Sequence, residues 1–440
     1  MREADDSAWI DRYEGGSPML IHVTKKGETL QSIARRYTVS AARLARDNGL
    51  AAGEEPVEGQ ALAILYPARV HFVRRGDTTA SIARRYGVSE RQLWRCNPGL
   101  IETGPVAGER VVISWRQNTL GRFETLGYAY PGTRRELLLS SLPSMRLAIP
   151  FTHEVSRLGG LSALNDTAML ETVRECGASS LLSVSNLREP DGFDGETVHA
   201  ILTSEEAQRR LIAEIQTLIR ERGHCGVDVD FEYVLAVDRE RYPAFLRRLS
   251  DALEPEGHPV YVAVAAKDED NTTSRLTAGL DYKAIGEAVS AVLIMTYDYG
   301  YLSGPPMAVS PLPMVKKTLE YAVTRIDRKK ILMGIPNYGY NWPLPYEAGK
   351  TRARSVTNEE AVSLARTAGV PIEYDEDAEA PWIRYRENGV EREVWFEDAR
   401  SIRAKLRLAA RLGLHGVGFW NLSRPFVQGW TVLSALFRID

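Results

Sequence analysis

The chain has 440 residues, room for two to four domains, and the composition of a globular protein. Lys plus Arg number 55 against 58 Asp plus Glu, a net charge of -3, so there is no electrostatic footprint for nucleic acid or an anionic membrane, and a neutral partner such as a glycan fits better. The three cysteines, Cys96, Cys176 and Cys225, show no paired spacing, which predicts free thiols rather than a disulfide framework or a zinc site.

The amino-terminal segment, residues 1–19, opens with Met1-Arg-Glu-Ala-Asp-Asp-Ser7, acidic where an export signal would be basic and then apolar. No run approaches the roughly 18 apolar residues of a membrane helix. The expectation is synthesis in the cytosol without a signal peptide.

The run Gly27-Glu-Thr-Leu-Gln-Ser-Ile-Ala-Arg-Arg-Tyr37 then returns as Gly76-Asp-Thr-Thr-Ala-Ser-Ile-Ala-Arg-Arg-Tyr86. The offset of 49 residues (27 to 76) persists through Leu44/Leu93, Asn48/Asn97, Val57/Val106 and Gly59/Gly108. Each copy, 20–67 and 69–115, predicts a short strand, a Gly turn and a helix capped by Thr29 or Thr78. A second helix starts at Ser40 or Ser89, the latter with Gln92 as a capping box, and ends at Asn48 or Asn97 before a closing strand.

This βααβ unit resembles the LysM module. The resemblance implies that N-acetylglucosamine chains lie in a groove between the first turn (Gly27, Glu28, Thr29, Leu30; Gly76, Asp77, Thr78, Thr79) and the loop after the second helix (Asn48 to Leu50; Asn97 to Leu100). Backbone amides in such turns can hydrogen-bond acetamido groups without any charge. The repeated Ile, Ala and Tyr read as core. Two such units read as separate modules on a short linker.

After Trp115 the pattern changes to β-rich runs alternating with helical stretches. The runs fall at 125–130, 146–151, 180–185, 226–232, 260–264, 291–297, 330–336 and 416–420. Eight strands with crossovers predict a closed parallel (β/α)₈ barrel over 122–440, with its active site at the C-terminal ends of the strands. Between the seventh and eighth strands, 343–396 predicts a small α+β insertion: a helix from the Thr357-Asn-Glu-Glu360 capping box and a hairpin turning at Asn388-Gly389.

On the fourth strand, Gly226-Val-Asp-Val-Asp-Phe-Glu232 puts Asp228, Asp230 and Glu232 at spacing two, all on one face, with Val227, Val229 and Phe231 on the other. The apolar set must meet the helices, so the acids line the interior, where charge without purpose costs several kcal/mol. At a rise of roughly 3.3 Å per residue, Asp230 and Glu232 are about 6 to 7 Å apart, and full ionisation is disfavoured. Glu232, nearest the mouth, is the natural proton donor to a glycosidic oxygen. A divalent-cation site is the competing reading of three clustered carboxylates.

Cys225-Gly-Val-Asp-Val-Asp-Phe-Glu232 resembles the Asp-Gly-x-Asp-x-Asp-x-Glu signature of glycoside hydrolase family 18, and Met295-Thr-Tyr-Asp298 and Trp420 resemble two further markers of that family. The resemblance implies Glu232 as the acid, Asp230 orienting the substrate acetamide, Asp228 supporting Asp230, Tyr297 donating to the acetamide oxygen and Trp420 flooring the reacting-sugar subsite, with Met295 and Asp298 beside it. It implies substrate-assisted, retaining hydrolysis that needs no cofactor or metal. Cys225 stands where the signature has Asp, and strand parity places it in the outward row with Val227. Tyr128 and Phe151 at strand ends, Asn337 after the seventh strand and Trp395 leaving the insertion are further candidates for the sugar cleft.

Paired LysM-like repeats ahead of such a barrel, with Val394-Trp-Phe-Glu-Asp-Ala-Arg-Ser401 closing the insertion, resemble the spore cortex-lytic N-acetylglucosaminidases of endospore-forming bacteria. That implies cleavage after N-acetylglucosamine in peptidoglycan and deposition on the spore. The alternatives are a chitinase or chitooligosaccharide hydrolase, and a non-catalytic wall-binding protein.

Overall fold

In a computed structural model of the chain, residues 19–116, 119–188 and 190–439 are described, so of the amino-terminal segment 1–19 only Met19 is among the described residues. Eight strands form the barrel: β1 (Glu124–Ala129), β2 (Leu147–Pro150), β3 (Ser179–Ser185), β4 (Gly226–Asp230), β5 (Val260–Ala265), β6 (Ala291–Met295), β7 (Ile331–Pro336) and β8 (Gly416–Trp420). Each pairs in parallel with its sequence neighbour; β8 pairs with β1, and β3 with β4 through Gly226 opposite Leu181 and Asp230 opposite Ser185, which closes the ring.

Alternation along the strands sorts the side chains as the pleat requires. Val227, Val229, Val262, Val292 and Ile294 join the helices in the outer core, while Leu126, Tyr128, Ile149, Leu181, Tyr261 and Leu293 fill the interior. Gly418 provides the space where Leu126 and Leu293 meet, since a Cβ there would lie 2.7 Å and 2.6 Å from their methyl groups. Cys225 departs from its expected place. It precedes the paired part of β4 and packs against the interior apolar cluster rather than the helices.

The insertion is a five-stranded antiparallel sheet in the order Arg354–Val356, Gly339–Leu344, Val390–Trp395, Ala380–Glu387, Glu373–Asp375, with the helix Asn358–Ala368 packed on it. Its first strand starts ahead of residue 343 because Tyr340 already pairs with Trp395. Asn388 and Gly389 turn the hairpin with φ of 51° and 80°, the left-handed pair that a tight hairpin demands. Thr357 accepts the Glu360 N–H at 2.9 Å, but the Glu360 carboxylate pairs with Arg354, so the expected capping box is only half made.

In each repeat a two-stranded antiparallel ribbon, 19–23 with 61–65 or 67–72 with 110–115, flanks two short helices. The reciprocal capping boxes form at Thr29/Ser32 and Thr78/Ser81. At Ser89 only the forward bond forms, because the Gln92 amide donates to the Ile113 carbonyl instead. The repeated Tyr37 and Tyr86 are fixed by His22 and His71, whose other ring nitrogens meet Glu28 and Asp77 at 2.7 Å.

The repeats are not free modules on a linker. Met19, Ala61, Ala63 and Leu65 of the first and Cys96, Val112 and Trp115 of the second belong to the same continuous apolar core as Leu433 and Leu436 of the barrel's last helix. That helix, Val427–Leu436, carries no charged residue, and every position from Gly429 to Leu436 is buried. The connection is fastened too: Leu120 N–H donates to the Leu436 carbonyl at 2.8 Å, and Phe123 stacks on Phe437 with centroids 3.8 Å apart.

Candidate active site

β4 delivers Asp228 and Asp230 to the barrel interior, with Glu232 two residues beyond at the C-terminal mouth. Asp228 is fully buried and accepts the Tyr128 hydroxyl at 3.0 Å. Its other oxygen, and one oxygen of the buried Asp230, have no hydrogen-bond partner among the described residues. Burial pushes the Asp228 carboxyl up to about 7, against the lowering effect of the Tyr128 bond. Asp230 is held well above the usual carboxylate range by burial, then by Glu232 and Asp228; Glu232 is pushed up to about 7 by burial and then by Asp298. A row of acids so crowded retains protons near neutrality, and Glu232 stands at its open end.

The backbone of Glu232 is gripped by a residue that sequence reading missed. The fully buried Asn186, directly after β3, accepts the Glu232 N–H and donates to the Glu232 carbonyl, both at 2.9 Å. Its position at the end of a barrel strand is the signal that could have found it.

Tyr297, just past β6, is half-buried, and its phenol is held well above its ordinary range by desolvation and then by Asp230. Gly334 on β7 makes room for its ring, since a Cβ there would lie 2.7 Å from Tyr297 Cε1. Asp298 takes φ of 58° and accepts the hydroxyls of Tyr338 (2.7 Å) and Tyr340 (2.9 Å), two further residues that sequence reading missed. Met295 is partly buried against the interior cluster.

Trp420 ends β8 and meets Phe151 edge-on at 4.8 Å, Tyr128 at 5.5 Å and Tyr130 at 6.0 Å. Tyr130 was not singled out from the sequence, and it is 47% exposed where Phe151 is buried. Tyr128 is likewise buried, and its hydroxyl is engaged by Asp228, so it holds the acid row rather than facing the cleft. Trp395 stacks on Trp382 at 5.9 Å within a cluster against which Tyr297 and Trp420 pack. Asn337 does not line the cleft: it is fully buried and donates to the carbonyls of Asn421 and Arg424 at 2.9 Å, pinning the loop after β8.

In the repeats, the candidate side chains are largely spent within the fold. Glu28 and Asp77 accept the Lys25 and Arg74 N–H groups at 2.8 Å, and Thr29 and Thr78 cap their helices. Asn48 and Asn97 are buried and bridge helix to closing strand, Asn48 through the Leu44 and Ala63 carbonyls and the Ala63 N–H. What remains for a ligand at Gly27–Leu30 and Gly76–Thr79 is mainly main chain.

Residues 179–424 match the profile of glycosyl hydrolases family 18, and residues 22–64 and 71–114 match the LysM domain. The chain belongs to glycosyl hydrolase family 18 and is a glycoside hydrolase with two LysM domains ahead of its barrel. Among particular proteins, it is 39% identical over 427 residues to the cortical fragment-lytic enzyme of Bacillus anthracis, which spans 95% of this chain and 98% of that one. The crystal structure of the Bacillus cereus spore cortex-lytic enzyme SleL superposes with a TM-score of 0.81 at 32% identity, over 96% of this chain and 98% of that one. A chitinase from Chromobacterium violaceum gives a TM-score of 0.65 at 25% identity, but covers only 71% of this chain.

Proposed function

We propose that the protein hydrolyses spore-cortex peptidoglycan, cutting the β-1,4 bond that follows N-acetylglucosamine by a retaining, substrate-assisted mechanism. The observation that carries the reading is the acid row: Glu232 protonated at the mouth, Asp230 beneath it with a buried unpartnered oxygen, and Asp228 held by Tyr128. The 2-acetamido oxygen attacks the anomeric carbon as Glu232 gives its proton to the leaving oxygen. The glycosidic bond breaks, and a cyclic oxazolinium ion forms. Asp230 accepts the acetamide N–H and Tyr297 donates to its oxygen, stabilising charge that develops only in the transition state. Water, deprotonated by the Glu232 carboxylate, then opens the ring with retention.

Relatives that share the repeats as well as the barrel are named for cortical fragments and spore cortex, which supports cortex glycan as the substrate and the spore wall as the place of action. The chitinase likeness, which covers 71% of the chain, keeps chitooligosaccharides as the second reading. Substrate assistance requires an acetamido group on the sugar whose anomeric bond breaks, and a muramic lactam has none. The new reducing end should therefore be N-acetylglucosamine. Borohydride reduction of the products should give glucosaminitol; predominant muramitol or its lactam would sink the assignment.

A further inference from the structure

The two repeats are alike in sequence and unlike in surroundings. In the first, Leu30 N–H, at the turn expected to face a glycan, donates to the Glu55 carboxylate at 2.6 Å. Gly49, in the loop across the groove, comes so close to the barrel that a Cβ there would lie 3.3 Å from Val427 and from the Glu359 carboxylate. Val57 packs into the apolar cluster of the insertion, and a Cβ on Gly59 would lie 1.9 Å from the Ile372 carbonyl oxygen. Polar bonds seal this contact: Ile372 N–H to the Glu58 carbonyl at 2.8 Å, Arg366 to Glu54 at 2.6 Å, and the Gln428 amide to Asn48 at 2.9 Å.

The rim contacts are not repeated 49 residues on, although Asn97 Oδ1 also accepts a side chain, that of Arg43 in the first repeat, at 3.0 Å. Gly104 stands where Glu55 does, and Thr103 where Glu54 does. The Thr79 N–H, equivalent to that of Leu30, makes no hydrogen bond to the described residues. Val106 is 51% exposed where Val57 is packed, and a Cβ on Gly108 would meet nothing within 4 Å. The second repeat is fastened instead through its second helix, where Arg91 donates to the carbonyls of Pro143 (3.0 Å) and Gly177 (3.1 Å). That attachment leaves the 106–109 rim exposed where 57–60 is largely covered; the first turn is open in both copies, at Gly27 and Thr29 as at Gly76 and Thr78.

We infer that the repeats have divided their labour: the second is the receptor for N-acetylglucosamine-containing glycan, held by the main chain of 76–79 and the rim at 102–108, and the first is a brace whose groove is closed by Glu55 and the insertion. The inference rests on reading the repeats as glycan-binding units. Sequence identity between the copies hides the difference, because it lies in what each rim touches. An amide already paired with a carboxylate gains less from an acetamide oxygen than an unpaired one does.

Hydrogen–deuterium exchange on the full chain carrying Glu232→Gln, with and without N-acetylchitohexaose, tests it. Amides at 76–79 and 100–108 should exchange more slowly with ligand, along with the barrel cleft, while 27–30 and 48–57 stay unchanged. Equal slowing in both repeats would overturn the division of labour. Slowing in the cleft alone would overturn the prior reading of the repeats as receptors. Val106→Asp, at an exposed position, should weaken pull-down on insoluble peptidoglycan by about tenfold without changing the melting temperature; undiminished pull-down would also overturn the inference.

Discussion

Replacing Asn186 with alanine removes both hydrogen bonds that hold the Glu232 main chain while touching neither the Glu232 carboxylate nor Trp420. Each is a neutral bond worth about 1 kcal/mol net, so the loop carrying the acid loses about 2 kcal/mol of local order, more if water cannot reach the freed groups. The cost to catalysis is larger than the cost to the fold, because a displacement of about 1 Å at a reacting group can lower the rate about 10²-fold. In Asn186→Ala, kcat on a fluorogenic chitooligosaccharide should fall about 10²-fold with KM within about threefold, since ground-state contacts remain. Burial is also the main reason Glu232 titrates near 7, so a loosened loop should move the alkaline limb of kcat/KM downward in pH. A folded variant with kcat within about threefold of the parent and an unmoved limb would refute the positioning role.

The raised carboxyls also predict how stability depends on pH. Asp228 and Glu232 titrate near 7 in the folded chain but near 4 when unfolded, so the stability linked to them is complete below about pH 4 and is lost as pH rises through 7. For Asp228 alone, the rise from the ordinary carboxylate range to about 7 corresponds to about 4 kcal/mol. The melting temperature should drop between pH 5 and pH 8, and Asp228→Asn should flatten that drop; an equal drop in the variant would refute the account. Over the same range kcat/KM should fall as Glu232 loses its proton, and Glu232→Gln should abolish turnover. Deleting residues 1–115 should lower the melting temperature of the barrel and cause it to aggregate, because the apolar outer face of Val427–Leu436 loses its cover; a soluble barrel of unchanged stability would show that the shared core contributes little.

The barrel and its acids were legible because period-two alternation and strand-end placement are local signals. Asp228, Asp230 and Glu232 announce themselves by spacing alone. Asn337 was misplaced because a polar residue after a strand can serve the cleft or pin a loop, and only the distant Asn421 and Arg424 carbonyls decide which. Tyr338 and Tyr340 depend on the left-handed turn at Asp298 that brings its carboxylate to their hydroxyls. The docking of the repeats did have a sequence signal. A ten-residue helix without one charge, Val427–Leu436, cannot be a barrel's outer helix unless something covers it, and the repeats were the available cover.

Strand alternation in the insertion links that cover to the chemistry. Trp382 and Trp395 face one way and join Tyr340 and Trp342 in the cluster against which Tyr297 and Trp420 pack. Their immediate neighbours Ile383 and Val394 face the other way, into the cluster that also receives Val57 of the first repeat. One sheet therefore carries this aromatic cluster on one face and rests on the first repeat and its own helix on the other. A wall made of large aromatic side chains holds its position only if its back is supported, because close-packed interiors transmit displacement rather than absorb it. The first repeat thus backs the layer whose other face carries the Tyr297 and Trp420 cluster, while the second joins the barrel core through Cys96, Val112 and Trp115.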